Sequence, residues 1–213
     1  MASVVDICNL SLAHLGDEAT VSAISPSDGS AQADHCARFY PIARDICLER
    51  HDWNWARRRA VLAETANTPP DTWAYEYAMP ANVIRVLMVM DEEGNEDKPR
   101  VFMQGTDANG AKVIWTNEEN ATLLYTHAVT DTTKFSALFV LCVSYLLSSF
   151  LAGPITKDMK IKQGMMQLFE AELGKAAMSS ANANKNPASH TPDWIEQRNY
   201  TNPRMVDGKV IYE

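Results

Sequence analysis

The chain has 213 residues, 46% of them hydrophobic, and carries a formal net charge of −8 with a pI near 5.1. A chain of this length buries roughly 70% of its unfolded surface and fits either one domain with an inserted layer or two small domains. The acidic balance argues against a protein that wraps nucleic acid through a broad basic face, although DNA sliding past an acidic surface without sticking is compatible with it.

In chain order, Ser3 followed by Asp6 resembles a capping box. Val4, Ile7, Cys8, Leu12 and Leu15 then give a buried helical stripe, which Gly16 ends with a left-handed stop. Ser25-Pro26-Ser27-Asp28-Gly29-Ser30 is a loop leading into a second helix. In that helix Ala33, Cys36, Tyr40, Ala43 and Cys47 recur at the period of one buried face. Pro41 lies inside the pattern and is expected to bend or locally break it, because it has no amide hydrogen and its ring crowds the preceding turn. Trp53 and Trp55 lie two apart, so on a strand they share a face. Arg57, Arg58 and Arg59 then enter an apolar strand.

Between Trp53 and Thr130 the pattern shortens to strands, expected at Ala74–Met79, Val83–Met90, Val101–Gln104, Lys112–Thr116 and Ala121–His127. Turn residues separate them at 80–82, 91–97, 107–110 and 117–120. From Phe135 to Thr156 no residue is charged. A spanning helix needs about 20 apolar residues, whereas serines interrupt this run and Gly153-Pro154 is expected to stop it. The stretch Ser136–Ala152 makes about 25 Å of helix and is read as a buried central helix, with Ser144 and Ser148 bonding carbonyls one turn earlier. A longer helix is expected from about Lys157 to Ser180, with Met159, Met166, Phe169, Leu173 and Ala176 on one face. Gly164 and Gly174 each cost about 1 kcal/mol there relative to Ala; each implies a close helix approach or a subunit contact.

From Ser179 the chain becomes small and polar, a linker composition. Thr191 and Pro192 suit the cap and first position of a short helical turn. Trp194, Ile195, Val210, Ile211 and Tyr212 are the anchors of a candidate portal-docking arm, which folds back on its own subunit or adds to a neighbour as a strand; the alternative is a disordered tail, a kind usually poorer in such anchors. The expected fold class is therefore α+β. A helical bundle comes from the N-terminal and C-terminal thirds (1–52 and 131–181), an antiparallel β-meander is inserted between them (53–130), and an extended C-terminal arm follows (182–213).

Chemistry-bearing patterns are sparse. Cys8, Cys36, Cys47 and Cys142 have no zinc-ligand spacing and read as small core hydrophobes in a reducing cytoplasm. No basic segment precedes an apolar run at the N-terminus, so no secretory signal is expected. The acidic run Asp91–Asp97 lacks the alternating ligands of a calcium loop and reads as a solvated hairpin tip. In Asp34-His35-Cys36 adjacent helical residues point in different directions, so no nucleophile–base dyad is assigned. Neither a phosphate loop nor a hydrolase or dinucleotide fingerprint is present. No catalytic, cofactor-binding or metal-binding residue follows. The stretch Arg38–Ala63 instead sets six arginines against three acids. Arg44, Arg50, Arg57, Arg58 and Arg59 are the candidate subunit interface, paired with acids such as those of Asp91–Asp97 in a neighbour.

Four runs occur in order: ICNLSLAHLGD (Ile7–Asp17), RFYPIARDICLERHDWNWARRRAVLA (Arg38–Ala63), WAYEYAMPANVIRVL (Trp73–Leu87) and YTHAVTDTTKFSALFVLCVSYLLSSFLAGPIT (Tyr125–Thr156). In content and order they resemble the tail tubular protein A family, the head-to-tail adaptors of short-tailed phages and related prophages. The resemblance implies a non-enzymatic virion protein of the neck, assembled in the host cytoplasm into a ring homo-oligomer, a dodecamer. Its implied partners are the portal protein, the tail nozzle protein and the DNA that passes through the channel without sequence-specific binding; no membrane and no cofactor is implied. Two other classes stand beside it. One is a DNA-binding module using the Arg57–Arg59 strand, marked by steep loss of affinity with salt. The other is a virion-associated hydrolase, which would need an acid/base pair in a pocket.

Overall fold

The computed structural model describes residues 2–18, 20–70, 72–183, 204–206 and 209–211, the last two segments as backbone. The chain divides into two compact units, Met1–Ser180 and Ala181–Glu213. The fold is α+β, with four helices and antiparallel sheets.

Helix α1 (Val4–His14) opens on the capping box, with Ser3 N donating to Asp6 Oδ2 at 2.8 Å and Asp6 N to Ser3 Oγ at 3.1 Å. It closes on Gly16 at φ +74, where Asp17 N bonds Leu12 O and Gly16 N bonds Ala13 O, the paired bonds of a left-handed helix stop. Helix α2 (Ala31–Arg50) is capped by Ser30 and runs through Pro41 without interruption. The proline removes one amide donor, that of the bond to Ala37 O, while the buried stripe Ala33, Cys36, Tyr40, Ala43, Cys47 and Leu48 holds both halves to the core. Helix α3 (Ala137–Thr156) likewise continues through Gly153-Pro154, correcting the expected stop. The residue before a proline is driven from helical backbone partly by its Cβ, and Gly153 has none. The helix ends instead at Lys157 in left-handed backbone, whose N–H bonds Ala152 O at 3.0 Å.

Although α3 is long and apolar enough to cross a membrane, here it is the buried helix against which α1 and α2 pack. Its serines make that burial possible. Ser144 donates to Leu141 O and Ser149 to Leu146 O, while the Ser148 hydroxyl lies 2.7 Å from Ser144 O and 2.9 Å from Ser11 O of α1. Helix α4 (Met159–Ala183) adds Phe169, Leu173 and Ala176 to the same core, whereas Met159 is exposed. No atom outside the helix lies within 4 Å of where a Cβ would stand on Gly164 or Gly174. Close helix approach among the described residues is therefore not their explanation.

The inserted strands are β1 (Arg57–Val61), β2 (Ala63–Glu64), β3 (Tyr75–Ala78), β4 (Val83–Met90), β5 (Phe102–Thr106), β6 (Lys112–Thr116) and β7 (Thr122–His127). They are antiparallel, but they do not pair as a simple meander: one sheet has the order β1-β7-β4 and the other β2-β3-β6-β5. Strand β7 is buried along Thr122–Thr126, and a strand so enclosed needs neighbours on both edges. It takes β1 and β4, far from it in sequence. Leu62, Tyr77, Val89, Ile114, Leu123 and Tyr125, drawn from both sheets, share one core. At one side the chain passes between sheets through Leu62, whose N–H bonds Ala121 O. At the other, Arg100 N bonds Val89 O.

One position in the second sheet requires glycine. A Cβ on Gly105 would stand 2.2 Å from the Trp115 ring. The indole lies across that strand and donates to Glu76 Oε2 at 2.8 Å. Thr65 and Asn67 donate to Glu76 Oε1, so this carboxylate, 4% exposed, is saturated with donors.

In the second unit β8 (Arg204–Val206) and β9 (Lys209–Ile211) pair antiparallel. Trp194, Ile195 and Tyr212 of the candidate docking arm, and the side chains of Val210 and Ile211, lie outside the described residues.

Candidate interface on the arginine strand

The end of α2 fixes the start of β1 through aromatic packing. Trp53 caps a 3-10 turn, Asn54–Ala56, and Trp55 is its middle residue, so neither lies on a strand, yet both reach one ring. Trp53 meets Phe139 edge-on with centroids 5.1 Å apart, and Trp55 meets it at 4.9 Å. Phe135 closes the cluster at 4.8 Å from Phe139. Trp53 Nε1 donates to Cys47 O at 2.8 Å, capping one of the carbonyls that a helix end leaves without an intrahelical partner.

Chain direction and register then place the arginines. Arg57 stands opposite Thr126 and Arg59 opposite Leu124 on β7. Beyond them on β4 stand Arg85 and Met88. Strand alternation puts Arg57, Arg59 and Arg85 on one face and Arg58 on the other. Arg57 is bound by both oxygens of Asp52, at 2.9 and 2.5 Å, and this hydrogen bonding raises its pKa. Arg59 pairs with Glu96. Arg58 makes no ion pair among the described residues. Arg57, Arg58, Arg59, Glu96 and Leu124 line a shallow depression of about 140 Å³. Beside the pair, burial pushes the His51 pKa down, helped by Arg85 and Arg57 and opposed by Asp52. His51 Nε2, Trp55 Nε1 and Thr126 Oγ1 are buried without a hydrogen-bond partner among the described residues.

Of the five arginines expected to act together, only these three line one depression. Arg44 pairs with Asp45 at 2.7 Å. Arg50 pairs across to Glu170 of α4 at 2.7 Å, both side chains about half exposed. Arg44 and Arg50 are six residues apart, about 240° around the helix, and so lie on different faces.

Arg59 already meets, within its own chain, one acid of the Asp91–Asp97 segment expected to pair with a neighbour. That segment is also more structured than a solvated tip. Asp91 accepts from the Asn95 amide, which with Arg100 holds its carboxyl below the usual range. Arg100 also lies 3.2 Å from Glu118. Asp52, Arg85 and Arg100 are the residues that sequence reasoning missed; Glu96 lies in the acidic run it had named. The one legible signal was Arg85, a charge inside an otherwise apolar strand; the register shift between Val83 and Arg85 turns it to the arginine face.

The remaining candidates resolve toward structure. All four cysteines are buried thiols, with Cys142 pushed up to about 11 by burial. Cys36 faces Cys8, and His35 stacks on Phe39, 6.3 Å away. His35 also lines a depression of about 520 Å³ with Gly16, Asp17, Gln32 and Thr156; the Thr156 hydroxyl donates to Ala152 O. No cluster of three or more metal-ligating side chains occurs among the described residues. No protein-family model matches the chain, and no curated protein matches it.

Proposed function

We propose that the protein is a structural virion component, a head-to-tail adaptor that forms a ring between portal and tail nozzle and lines the DNA exit channel. The observation that carries this reading is the ordered resemblance of four sequence runs to the tail tubular protein A family. In the fold these runs are α1 with its stop, the second half of α2 through β1, β3 with β4, and β7 with α3. They supply most of the core between the helices and Leu62, Tyr77 and Tyr125 of the core between the sheets, so the resemblance falls chiefly on the helical layer and its junction with β1.

The arginine strand fits a contact surface better than a nucleic-acid groove. Binding through phosphates draws on uncompensated cations and releases counterions. Here Asp52 and Glu96 already neutralise Arg57 and Arg59, and the chain as a whole is acidic. A ring closes through repeated heterologous contacts, so each subunit presents two different complementary surfaces. The test is electron microscopy of the purified protein with and without the portal complex of the same virus. The expected result is a monomer or loose oligomer alone and a closed ring on the portal. Failure to bind that portal overturns the adaptor reading.

A further inference from the structure

Of the four edge strands in the two sheets, β1 and β5 are the ones longer than two residues that have no bridge on their outer side among the described residues. β4 is covered on its outer side at Val89 by Arg100, and β2 has only two residues. β1 pairs only with β7, and β5 only with β6, among the described residues. Both open edges carry large apolar side chains in solvent: Val61 is 75% exposed on β1, and Val101 and Met103 are 78% and 53% exposed at β5. An open edge with exposed apolar residues is a template for pairing with another chain unless charge or shape blunts it.

The two edges are blunted differently. β1 carries Arg58, which has no ion pair among the described residues, beside Arg57 and Arg59, which Asp52 and Glu96 neutralise. Two copies of β1 would therefore bring their Arg58 charges together with no acid between them. β5 has no charge between Phe102 and Thr106, but its flanks from Asp91 to Asp107 hold six carboxylates against two cations. Like edges therefore pair poorly, whereas β1 against β5 brings opposite charges together and covers all three exposed side chains. Arg58, exposed and without an ion pair among the described residues, is the cation left to meet those acids.

We infer that the β1 edge of one subunit pairs with the β5 edge of a second copy of this chain, with Arg58 facing the acidic flanks of β5. The inference rests on the adaptor reading in one respect: a contact between two different edges is the heterologous kind that propagates around a ring.

The test mixes a Val61→Cys protein with a Met103→Cys protein and treats them with a short bis-maleimide, alone at high concentration and on the portal. Both positions are exposed, so neither change disturbs the fold, and the buried native cysteines of the unmodified protein serve as the control. The expected result is about tenfold more cross-linked dimer in the mixture than in either variant alone, as a two-surface contact requires. Adding Arg58→Glu should cut the yield roughly tenfold, because like charges then face each other. Equal cross-linking of one variant with itself overturns the inference in favour of like-edge pairing. So does a portal-bound ring whose mixed subunits do not cross-link, which leaves the adaptor reading standing. Cross-linking of the free proteins, with no ring on any portal, supports the edge contact and removes the adaptor reading.

Discussion

Replacing Trp53 tests the packing that joins the helical layer to the sheets. The residue is 1% exposed, lies edge-on to both Phe139 and His51, and caps Cys47 O. Trp53→Ala opens a cavity among these rings, and truncations of this kind cost about 3–5 kcal/mol. Against a total stability of roughly 5–15 kcal/mol, that loss lowers Tm by about 6–20 °C for a chain of this size. Trp53→Phe keeps most of the ring but leaves the Cys47 carbonyl at the buried helix end without its donor, a loss of about 1–3 kcal/mol. Trp55→Phe is the control, because Trp55 Nε1 has no hydrogen bond among the described residues to lose. Urea unfolding followed by circular dichroism should therefore rank the variants Trp53→Ala, then Trp53→Phe, then Trp55→Phe, in order of decreasing damage. If Trp55→Phe costs as much as Trp53→Phe, the capping argument is wrong; if Trp53→Ala costs under about 1 kcal/mol, the junction does not hold the layers together.

Gly164→Ala and Gly174→Ala should each raise Tm by about 2–4 °C, because each removes a helix-interior glycine in open space; if the same changes weaken ring formation, the glycines serve a subunit contact, and a fall in Tm would contradict the open space. Glu76, whose carboxyl the Trp115 indole holds below the usual glutamate range, contributes stability that is present above the ordinary pKa of about 4.5 and lost as pH falls through the depressed value. Glu76→Gln should flatten that acid limb in urea midpoints measured across pH and cost about 1–3 kcal/mol at neutral pH, since an amide then faces donors. Deleting 182–213 should leave the Met1–Ser180 unit with its helical and strand signals while portal attachment drops. Trp194→Ala alone should weaken attachment, an anchor of that size being worth roughly 1.5–3 kcal/mol, and Lys185→Ala should not; unfolding of the truncated protein would instead make the tail part of the core.

Sequence reasoning reached as far as local signals extend. The cap at Ser3, the stop at Gly16 and the buried stripe of α2 depend on residues within one or two turns, and each stands where periodicity and backbone chemistry place it. That the helices continue through their prolines was not legible, because propensity weighs a lost hydrogen bond without the packing around it. At Pro41 a buried stripe spans the defect, and before Pro154 a glycine removes the clash. Strand existence was also legible, but strand order was not. A meander follows from short turns, whereas β7 pairs with β1 across more than 60 residues because its own burial requires two neighbours. The arginines show the same limit at side-chain scale. Three in a row on an exposed strand read as free charge for a partner, yet folding brings Glu96 to Arg59 from 37 residues away and Asp52 to Arg57 from the adjoining turn. Exposed pairs of this kind are worth at most about 1 kcal/mol each, so they do not decide the fold. What they decide is the surface: a face that counts as strongly basic in sequence is nearly balanced in the folded chain, and Arg58 on the opposite face is left as the cation with which β1 can meet another molecule.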